Sequence, residues 1–318
     1  MKFSIVLPVY NEAGSLEELY QEIVSTLSLY GDAFEIIAVN DGSKDESGAI
    51  LDRLSGSDRR LRVIHLSRNY GQTAALSAGF DAARGDVIIP MDADLQNDPQ
   101  DIPRLLAALE QGFDVVSGWR KHRKDNLLRR IPSVIANKLI SYITGVKLHD
   151  YGCTLKAYRR EAIKDVRFYG EMHRFMPAYA RWYGARISEL EVNHRPRKYD
   201  TSKYGISRTF RVILDLLTVK FLTSYLTKPI HFFGGVGFFS LFLSLISGGS
   251  AIYLRIFEGI HFIRTPLPLL TVFLVIMGIQ FILMGILAEI LIRIYHEPKG
   301  KTTYTVGKRI NFDHDAHQ

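Results

Sequence analysis

Short apolar runs alternate with amphipathic segments through the first half of the chain. Five of the runs predict β-strands: FSIVLPVY, FEIIAVN, LRVIHLS, DVIIPMDAD and FDVVSGW. The segments between them predict helices: SLEELYQEIVSTLSLY, with a capping box of Ser15 and Glu18, then ESGAILDRLSG, QTAALSAGFDAARG and QDIPRLLAALEQG. Strands that alternate with helices at this spacing predict an α/β fold, with a mostly parallel sheet and helices on both faces.

Polar clusters follow four of these predicted strands: PVYNE, VNDGSKD, SRNYG and DADLQ. Ligands bind beyond the carboxyl ends of the strands in such sheets. We therefore expect the four clusters to converge on one edge of the sheet. Further along, NLLRRIPSVIANKLISYITG and FMPAYARWYG predict two helices, and ARISELEVNHRPR predicts a strand that runs into a basic loop.

The last third of the chain changes character, because charge nearly vanishes between residues 230 and 294. Two windows, Ile230–Leu254 and Leu267–Ile294, are long enough for bilayer spans, which need about 20 apolar residues. The alternative, a pair of buried core helices, is disfavoured because uninterrupted windows of this length are rare in soluble cores. The segment ISRTFRVILDLLTVKFLTSYL is amphipathic and predicts helices in the membrane interface.

Basic residues flank the two windows and are sparse between them. Those outside the windows are Arg208, Arg211, Lys220, Lys228, Arg293, Lys299, Lys301, Lys308 and Arg309. The connection carries only Arg255 and Arg264, so the positive-inside rule predicts a hairpin with both termini in the cytoplasm. The formal net charge is +7, and basic residues gathered at a bilayer favour anionic headgroups or a phosphorylated lipid over nucleic acid. A single cysteine, Cys153, fits a reducing compartment, and no secretory signal is expected ahead of the first strand.

Two aspartates, Asp92 and Asp94, end the fourth predicted strand. Residues two apart on an extended segment point to the same side. Two carboxylates on one side suit a hard divalent cation, with substrate phosphates completing its shell. A solvated turn is the alternative, and it suits Asp98 within the sequence Asn97–Pro99.

Asp41 follows the second predicted strand, in VNDGSKD. It fits an ordinary Asp-Gly turn as well as a binding residue. Beside a metal site, its carboxylate would be placed to accept from the imide of a uracil or the amide edge of a guanine.

Five motifs in order resemble a known family: VLPVYNE, VNDGSKD, LSRNYGQTAALSAG, DADLQNDP and YGCTLKAYRR. They are similar to those of the polyprenyl-phosphate glycosyltransferases of family 2, and the likeness extends to GILAEILIRIYHEP in the second window. The resemblance implies a GT-A fold, which is Rossmann-like. It also implies a nucleoside-diphosphate sugar as donor, a polyprenyl phosphate as acceptor and a divalent metal.

The resemblance assigns roles to the polar clusters. It implies that Pro8, Tyr10 and Glu12 line the nucleotide pocket, where Asp41 reads the base. It places Asp92 in both the nucleotide site and the metal site. The implied metal set is Asp92, Asp94 and Gln96.

Basic residues are implied to hold the two phosphorylated substrates. Arg120, Arg129 and Ser133 would bind the lipid phosphate. The loop HRPRKYDTSKYG would close over the diphosphate, and its basic members are Arg195, Arg197 and Lys203. This loop carries Asp200 where relatives usually have glycine, which puts its conformation in doubt. Asp150 begins DYGCTLK, where relatives often have an acidic residue near the sugar.

Four parts follow from these patterns. We expect a cytoplasmic catalytic domain at 1–204, interfacial helices at 205–229, two transmembrane helices at 230–294 and a cytoplasmic basic tail at 295–318. The protein would be a multi-pass protein of the inner membrane. The sequence does not determine the oligomeric state, and helical hairpins from several copies could associate in the membrane.

The expected reaction is direct displacement with inversion, in which the acceptor phosphate attacks the sugar. A phosphate monoester has a second pKa of about 6, so the acceptor phosphate is largely ionised at neutral pH. Its attack therefore needs no strong protein base. A processive polysaccharide synthase is an alternative, but Ala178 replaces the glutamine expected before Arg181 and Trp182, and two spans form no channel. A non-catalytic membrane scaffold is a second alternative, disfavoured by the intact metal motif. The sugar and nucleotide are not determined, although UDP is favoured over GDP.

Overall fold

The computed structural model describes residues 2–30, 33–121, 137, 140–142, 144–163, 172–196, 229–296 and 304–312. Contacts divide the chain into two compact units: residues 1–219 with 302–318, and residues 220–301. The first unit contains an eight-stranded sheet flanked by helices, and the second contains two long apolar helices.

The strands of the sheet are β1 (Phe3–Val9), β2 (Phe34–Asn40), β3 (Leu61–Leu66), β4 (Val87–Pro90), β5 (Val115–Trp119), β6 (Lys156–Arg159), β7 (Ile187–Glu191) and β8 (Val306–Ile310). They lie in the order β7-β5-β6-β4-β1-β2-β3-β8. The four central neighbours β4, β1, β2 and β3 are parallel, and so are β5 and β7. Strand β6 is antiparallel to both β4 and β5, and β8 is antiparallel to β3. The predicted mostly parallel α/β sheet is confirmed.

The helices of this unit are α1 (Leu16–Leu27), α2 (Ser47–Ser57), α3 (Gln72–Ala82), α4 (Ile102–Glu110), α5 (Arg160–Ile163) and α6 (Met176–Trp182). Helix α1 shows why they pack on the sheet: Leu16, Leu19, Ile23 and Leu27 recur at three- and four-residue spacing and are all buried. Helix α3 packs closely on β1 at Gly79. A Cβ atom at this position would come within 2.3 Å of a Val6 methyl carbon. Close approach of α3 brings its first turn to the edge where the strands end.

The capping box predicted at the start of α1 is wrong. Ser15 makes no side-chain cap to the helix. Its hydroxyl instead donates to the carbonyl oxygens of Glu12 at 2.9 Å and Ala93 at 2.6 Å. The second bond ties the start of α1 to the segment that follows β4, an acceptor 78 residues away that local sequence does not reveal.

The region expected to be a separate basic tail, 295–318, needs a correction. Its residues Val306–Ile310 form β8 and complete the sheet beside β3. Tyr304 donates its hydroxyl to Asp81 at 2.8 Å. The chain therefore returns to the catalytic sheet after the apolar helices.

The second unit is a helical pair, α7 (Pro229–Phe257) and α8 (Leu267–His296). Phe233–Phe257 and Leu267–Ala288 are long and apolar enough to cross a membrane, and in their most apolar windows only 22% and 11% of residues are buried. The helices meet closely at Gly237 and Gly278, where a Cβ on Gly237 would lie 2.8 Å from the Gly278 carbonyl oxygen. Small residues at a helix crossing combined with an apolar outer surface are typical of membrane helices. The amphipathic segment expected at 205–229 lies almost entirely outside the described residues.

Replacing Asn311 with glycine should destabilise the catalytic unit. The Asn311 amide donates to the carbonyl oxygens of Ser55 at 2.7 Å and Leu61 at 2.8 Å, and its backbone has a φ of 61° that glycine adopts freely. Leaving these carbonyls unpaired should lower the free energy of unfolding by about 1–3 kcal/mol in urea titrations of detergent-purified protein. Lys308→Ala is the control: its exposed ion pair with Asp52 should contribute about 0–1 kcal/mol. Equal losses from the two variants would contradict the prediction.

Candidate active site at the strand ends

The segment that follows β4 presents its polar side chains on one side. Along residues 91–97 the odd-numbered positions are buried and the even-numbered positions are partly exposed. Asp92, Asp94 and Gln96 therefore share a side, as their two-residue spacing predicts. At Leu95 the φ of 63° takes the backbone out of the extended conformation, and the Gln96 amide then donates to Asp94 Oδ1 at 3.2 Å.

The Asp92 carboxylate is held by donors from two other elements. Gln72, the first residue of α3, donates its side-chain amide to Asp92 Oδ1 at 2.8 Å. Thr154, in the loop before β6, donates its hydroxyl to Oδ2 at 2.6 Å. Each oxygen keeps a second lone pair, so the carboxylate is oriented without being saturated.

The chemistry of this donor set fits a hard cation. Within the residues that the structure describes, no three His, Cys, Asp or Glu side chains are grouped so that they could hold a metal ion. The segment offers two carboxylates and, at Gln96, an amide. Mg²⁺ and similar ions are commonly bound by one or two carboxylates together with water and substrate phosphates. The set suits a metal that arrives with a diphosphate better than it suits a closed structural zinc site.

Asp41 lies at the same edge and fixes a neighbouring loop. Its two carboxylate oxygens accept the backbone amides of Tyr70 at 2.7 Å and Gly71 at 2.9 Å. Burial raises the pKa of Asp41 even though these two hydrogen bonds lower it. The carboxylate thus shapes the loop between β3 and α3, and its proposed contact with the base must use the remaining lone pairs.

The residues predicted to line the nucleotide pocket lie at the end of β1 and in the loop after it. Pro8 belongs to the strand, Tyr10 and Glu12 follow it, and all three are partly exposed. Side chains after β2 hold this loop in place. The Asn11 amide donates to Ser43 Oγ in the β2–α2 loop at 3.0 Å, and the Glu12 amide donates to Ser47 Oγ, in the first residue of α2, at 2.9 Å. The Asp41 amide donates to the Val9 carbonyl at 2.8 Å. The polar clusters after β1 and β2 therefore meet, as expected.

Arg120, predicted to hold the lipid phosphate, forms a two-pronged ion pair with Asp150. Arg120 Nε lies 2.7 Å from Asp150 Oδ2, and one terminal nitrogen lies 3.0 Å from Oδ1. The side chains are 13% and 4% exposed. Burial lowers the pKa of Arg120, but the Asp150 carboxylate outweighs burial and the net direction is upward, so the cation is permanent. The phosphate-binding role of Arg120 stays a prediction.

Arg195, predicted to close over the diphosphate, lies beside the metal segment. Its guanidinium lies 2.8 Å from Glu22 in α1 and 2.9 Å from Asp98. Its backbone amide donates to the Gln96 carbonyl at 2.9 Å. In this structure Arg195 anchors the start of the basic loop. The remaining predicted basic-site residues lie outside the described part of the chain: Arg129, Ser133, Arg197 and Lys203.

Sequence reasoning missed Lys156, the first residue of β6. It is 3% exposed, and its ammonium donates to the carbonyl oxygens of Tyr151, at 3.3 Å, and Cys153. Burial lowers the pKa of Lys156. A lysine among the apolar neighbours of LKAY was the signal in the sequence, because lysine is almost never fully buried without a partner.

Comparison with known proteins identifies the family and agrees with the fold. The model of glycosyl transferase family 2 matches residues 4–167. A dodecaprenyl-phosphate galacturonate synthase of Rhizobium johnstonii is 44% identical over 96% of this chain and 92% of its own. An undecaprenyl-phosphate 4-deoxy-4-formamido-L-arabinose transferase of Shewanella sediminis is 38% identical over 95% and 91%.

Solved structures share the fold of the first unit. Glucosyl-3-phosphoglycerate synthase of Mycobacterium tuberculosis, in complex with Mn²⁺, UDP and phosphoglyceric acid, has a TM-score of 0.54 at 20% identity, over 69% of this chain and 78% of that one. The fold and the site thus define a GT-A glycosyltransferase. The chain belongs to glycosyltransferase family 2 and, within it, to the polyprenyl-phosphate glycosyltransferases.

Replacing Asp150 with asparagine should destabilise the protein strongly. The change keeps the shape of the side chain but leaves the buried Arg120 cation without its counter-charge. Loss of one partner from a buried ion pair costs about 3–5 kcal/mol, which urea unfolding of the full chain would detect. Glu191→Gln is the matched control, because its pair with Lys121 is 41% and 47% exposed and should contribute about 0–1 kcal/mol. A similar small loss from both variants would show that the Arg120 charge is solvated.

Proposed function

We propose that the protein transfers a sugar from a UDP-linked donor to a polyprenyl phosphate, with inversion and with Mg²⁺ or Mn²⁺, at the cytoplasmic face of the inner membrane. The observation that carries the proposal is the pair Asp92 and Asp94, which share one side of a segment at the carboxyl end of β4. Sugar transfer to a polyprenyl phosphate is the activity for which the curated relatives are named. Donor, metal and membrane face are the further steps proposed.

Asp92, Asp94 and Gln96 would hold the metal. When bound, such an ion offsets the charge on the departing diphosphate. Asp92 enters this role already oriented by Gln72 and Thr154.

The cationic residues would orient the acceptor. Guanidinium groups suit phosphate because they donate in a planar fork. Arg120 and Arg129 are the arginines proposed, with Ser133 beside them. Since the acceptor phosphate is already ionised near neutral pH, orientation and charge compensation are sufficient and no side chain needs to remove a proton.

The first donor to test is UDP-galacturonate. The relative at 44% identity is named a galacturonate synthase, whereas relatives at 37–38% identity are named for a formamido-arabinose. All of them match nearly the whole chain. The choice of galacturonate follows from the higher identity, and the formamido-arabinose donor is the second to test.

A donor panel tests the proposal directly. Detergent-purified protein would receive undecaprenyl phosphate with UDP-galacturonate, UDP-4-deoxy-4-formamido-L-arabinose, UDP-glucose or GDP-mannose, with Mn²⁺ or Mg²⁺. Mass spectrometry of the lipid fraction should show one lipid-linked sugar, with nucleotide release that depends on the lipid. Nucleotide release without any lipid product, under every donor, would contradict the proposal.

Asp94→Ala should reduce the lipid-linked product by at least about 100-fold, because an anchor of the metal is lost. Membrane association, measured by fractionation, should stay unchanged. Retained activity at saturating metal would refute the metal assignment.

The sheet supports the proposed topology. Strands β1–β7 precede α7 and β8 follows α8, yet all pair in one sheet. This pairing supports a topology in which the chain segments on either side of the helical pair lie in one compartment. If α7 and α8 enter the bilayer, the chain must leave this compartment through one helix and return to it through the other.

Cysteine labelling in spheroplasts can test this topology. Glu258→Cys, between the helices, should react with a membrane-impermeant maleimide in intact spheroplasts, whereas Lys308→Cys in β8 should react only after lysis. Burial raises the pKa of the native Cys153 to about 11, so wild-type protein should remain unlabelled. Labelling of Lys308→Cys before lysis would place the catalytic sheet outside the cell.

A further inference from the structure

The loop at residues 151–154 connects a buried lysine to the proposed metal site. Lys156 lies beneath it and donates to two of its carbonyl oxygens, those of Tyr151 and Cys153. The next residue, Thr154, donates its hydroxyl to Asp92 Oδ2 at 2.6 Å. The position of Thr154 therefore depends on the lysine, and the orientation of Asp92 depends on Thr154.

Cys153 packs this loop against the hydrophobic core, but the packing around the loop is incomplete. A cavity lies there, lined by Tyr151, Thr154, Lys156, Tyr158 and Arg174 among others. The Tyr158 hydroxyl is fully buried and has no hydrogen-bond partner within the described structure. The two hydrogen bonds from Lys156 therefore add a directional constraint on the loop to the burial of Tyr151 and Cys153.

Holding a loop with a buried ammonium group carries a large desolvation penalty. Its removal from water costs several kcal/mol, and an apolar side chain of similar length would fill the space without that penalty. The Asp92 and Asp150 carboxylates lie near enough to Lys156 to interact with its charge. Lys156 is thus placed to act on the acidic edge of the site as well as on the loop.

We propose that Lys156 is a positioning residue: it holds the 151–154 loop so that the Thr154 hydroxyl orients Asp92 toward a metal–diphosphate. The proposal rests on the metal site put forward under the proposed function. Lys156 acts through Thr154 and Asp92 and does not itself contact the substrate.

A double-mutant cycle tests this coupling. Lys156→Met, Thr154→Val and the double variant would be made in the full chain, and Mn²⁺ affinity measured in the presence of UDP by electron paramagnetic resonance. Loss of a group that orients a metal ligand typically lowers affinity about 10–100-fold. Each single variant should show a loss in this range. The loss of Mn²⁺ affinity in the double variant should be no larger than the loss in the more strongly affected single variant. Both substitutions interrupt the same series of contacts, so their effects should not add.

Two further variants separate positioning from general stability. Lys156→Arg should recover part of the Mn²⁺ affinity, since it restores a cationic donor. Arg159→Met, in the same strand, removes a guanidinium that donates to the carbonyl oxygens of Phe113 and Leu109. It should lower the unfolding temperature and leave Mn²⁺ affinity unchanged.

Several outcomes would overturn the proposal. Unchanged Mn²⁺ affinity in folded Lys156→Met would do so, and so would losses that multiply in the double variant. If Lys156→Met does not fold, Lys156→Gln takes its place in the cycle with the same criteria. Wild-type protein that binds Mn²⁺ and UDP but makes no lipid-linked sugar would refute the proposed function and leave this inference standing. Wild-type protein that binds neither Mn²⁺ nor Mg²⁺ in the presence of UDP would refute both.

Discussion

Two hydrogen bonds fix the Asp92 carboxylate, one from the first residue of α3 and one from the loop before β6. A third bond, from Ser15 to the Ala93 carbonyl, ties the same segment to the start of α1. Three elements that are distant in sequence therefore determine where the acidic edge lies. Because α1 and α3 pack on the sheet and Lys156 bonds to the loop before β6, the carboxylates are in place before any ligand arrives. Such preorganisation is what charge compensation at a reacting diphosphate requires.

Much of this architecture could be predicted from local pattern. Strands β1 to β5 are short apolar runs, and the shared side of Asp92 and Asp94 follows from the two-residue period of extended chain. Strands β6 and β8 were not predicted, because their sequences, KAYR and VGKRI, contain no apolar run and their antiparallel partners are distant in the chain. The hydroxyl of Ser15 was assigned to its own helix, whereas the acceptor it reaches is 78 residues away. Long-range partners of this kind leave no local signal.

The charged groups around the site divide into two kinds. Arg120 and Arg195 are engaged with carboxylates of the fold itself, at 2.7–3.0 Å. Lys156 is engaged with backbone carbonyl oxygens. From the sequence, every basic residue near an acidic motif looks like a ligand for phosphate. The structure shows that some of this charge is used to hold loops and strand ends in register.

Strand β8 has a consequence for biosynthesis. It follows α7 and α8 in the chain, and within the described residues it is the only strand that pairs with the outer edge of β3. An open strand edge is prone to pair with other chains. Because the two apolar helices precede β8, the eight-stranded sheet cannot be completed until they have been synthesised, and the outer edge of β3 lacks β8 until then. Completion of the sheet is therefore coupled in time to synthesis of the apolar helices.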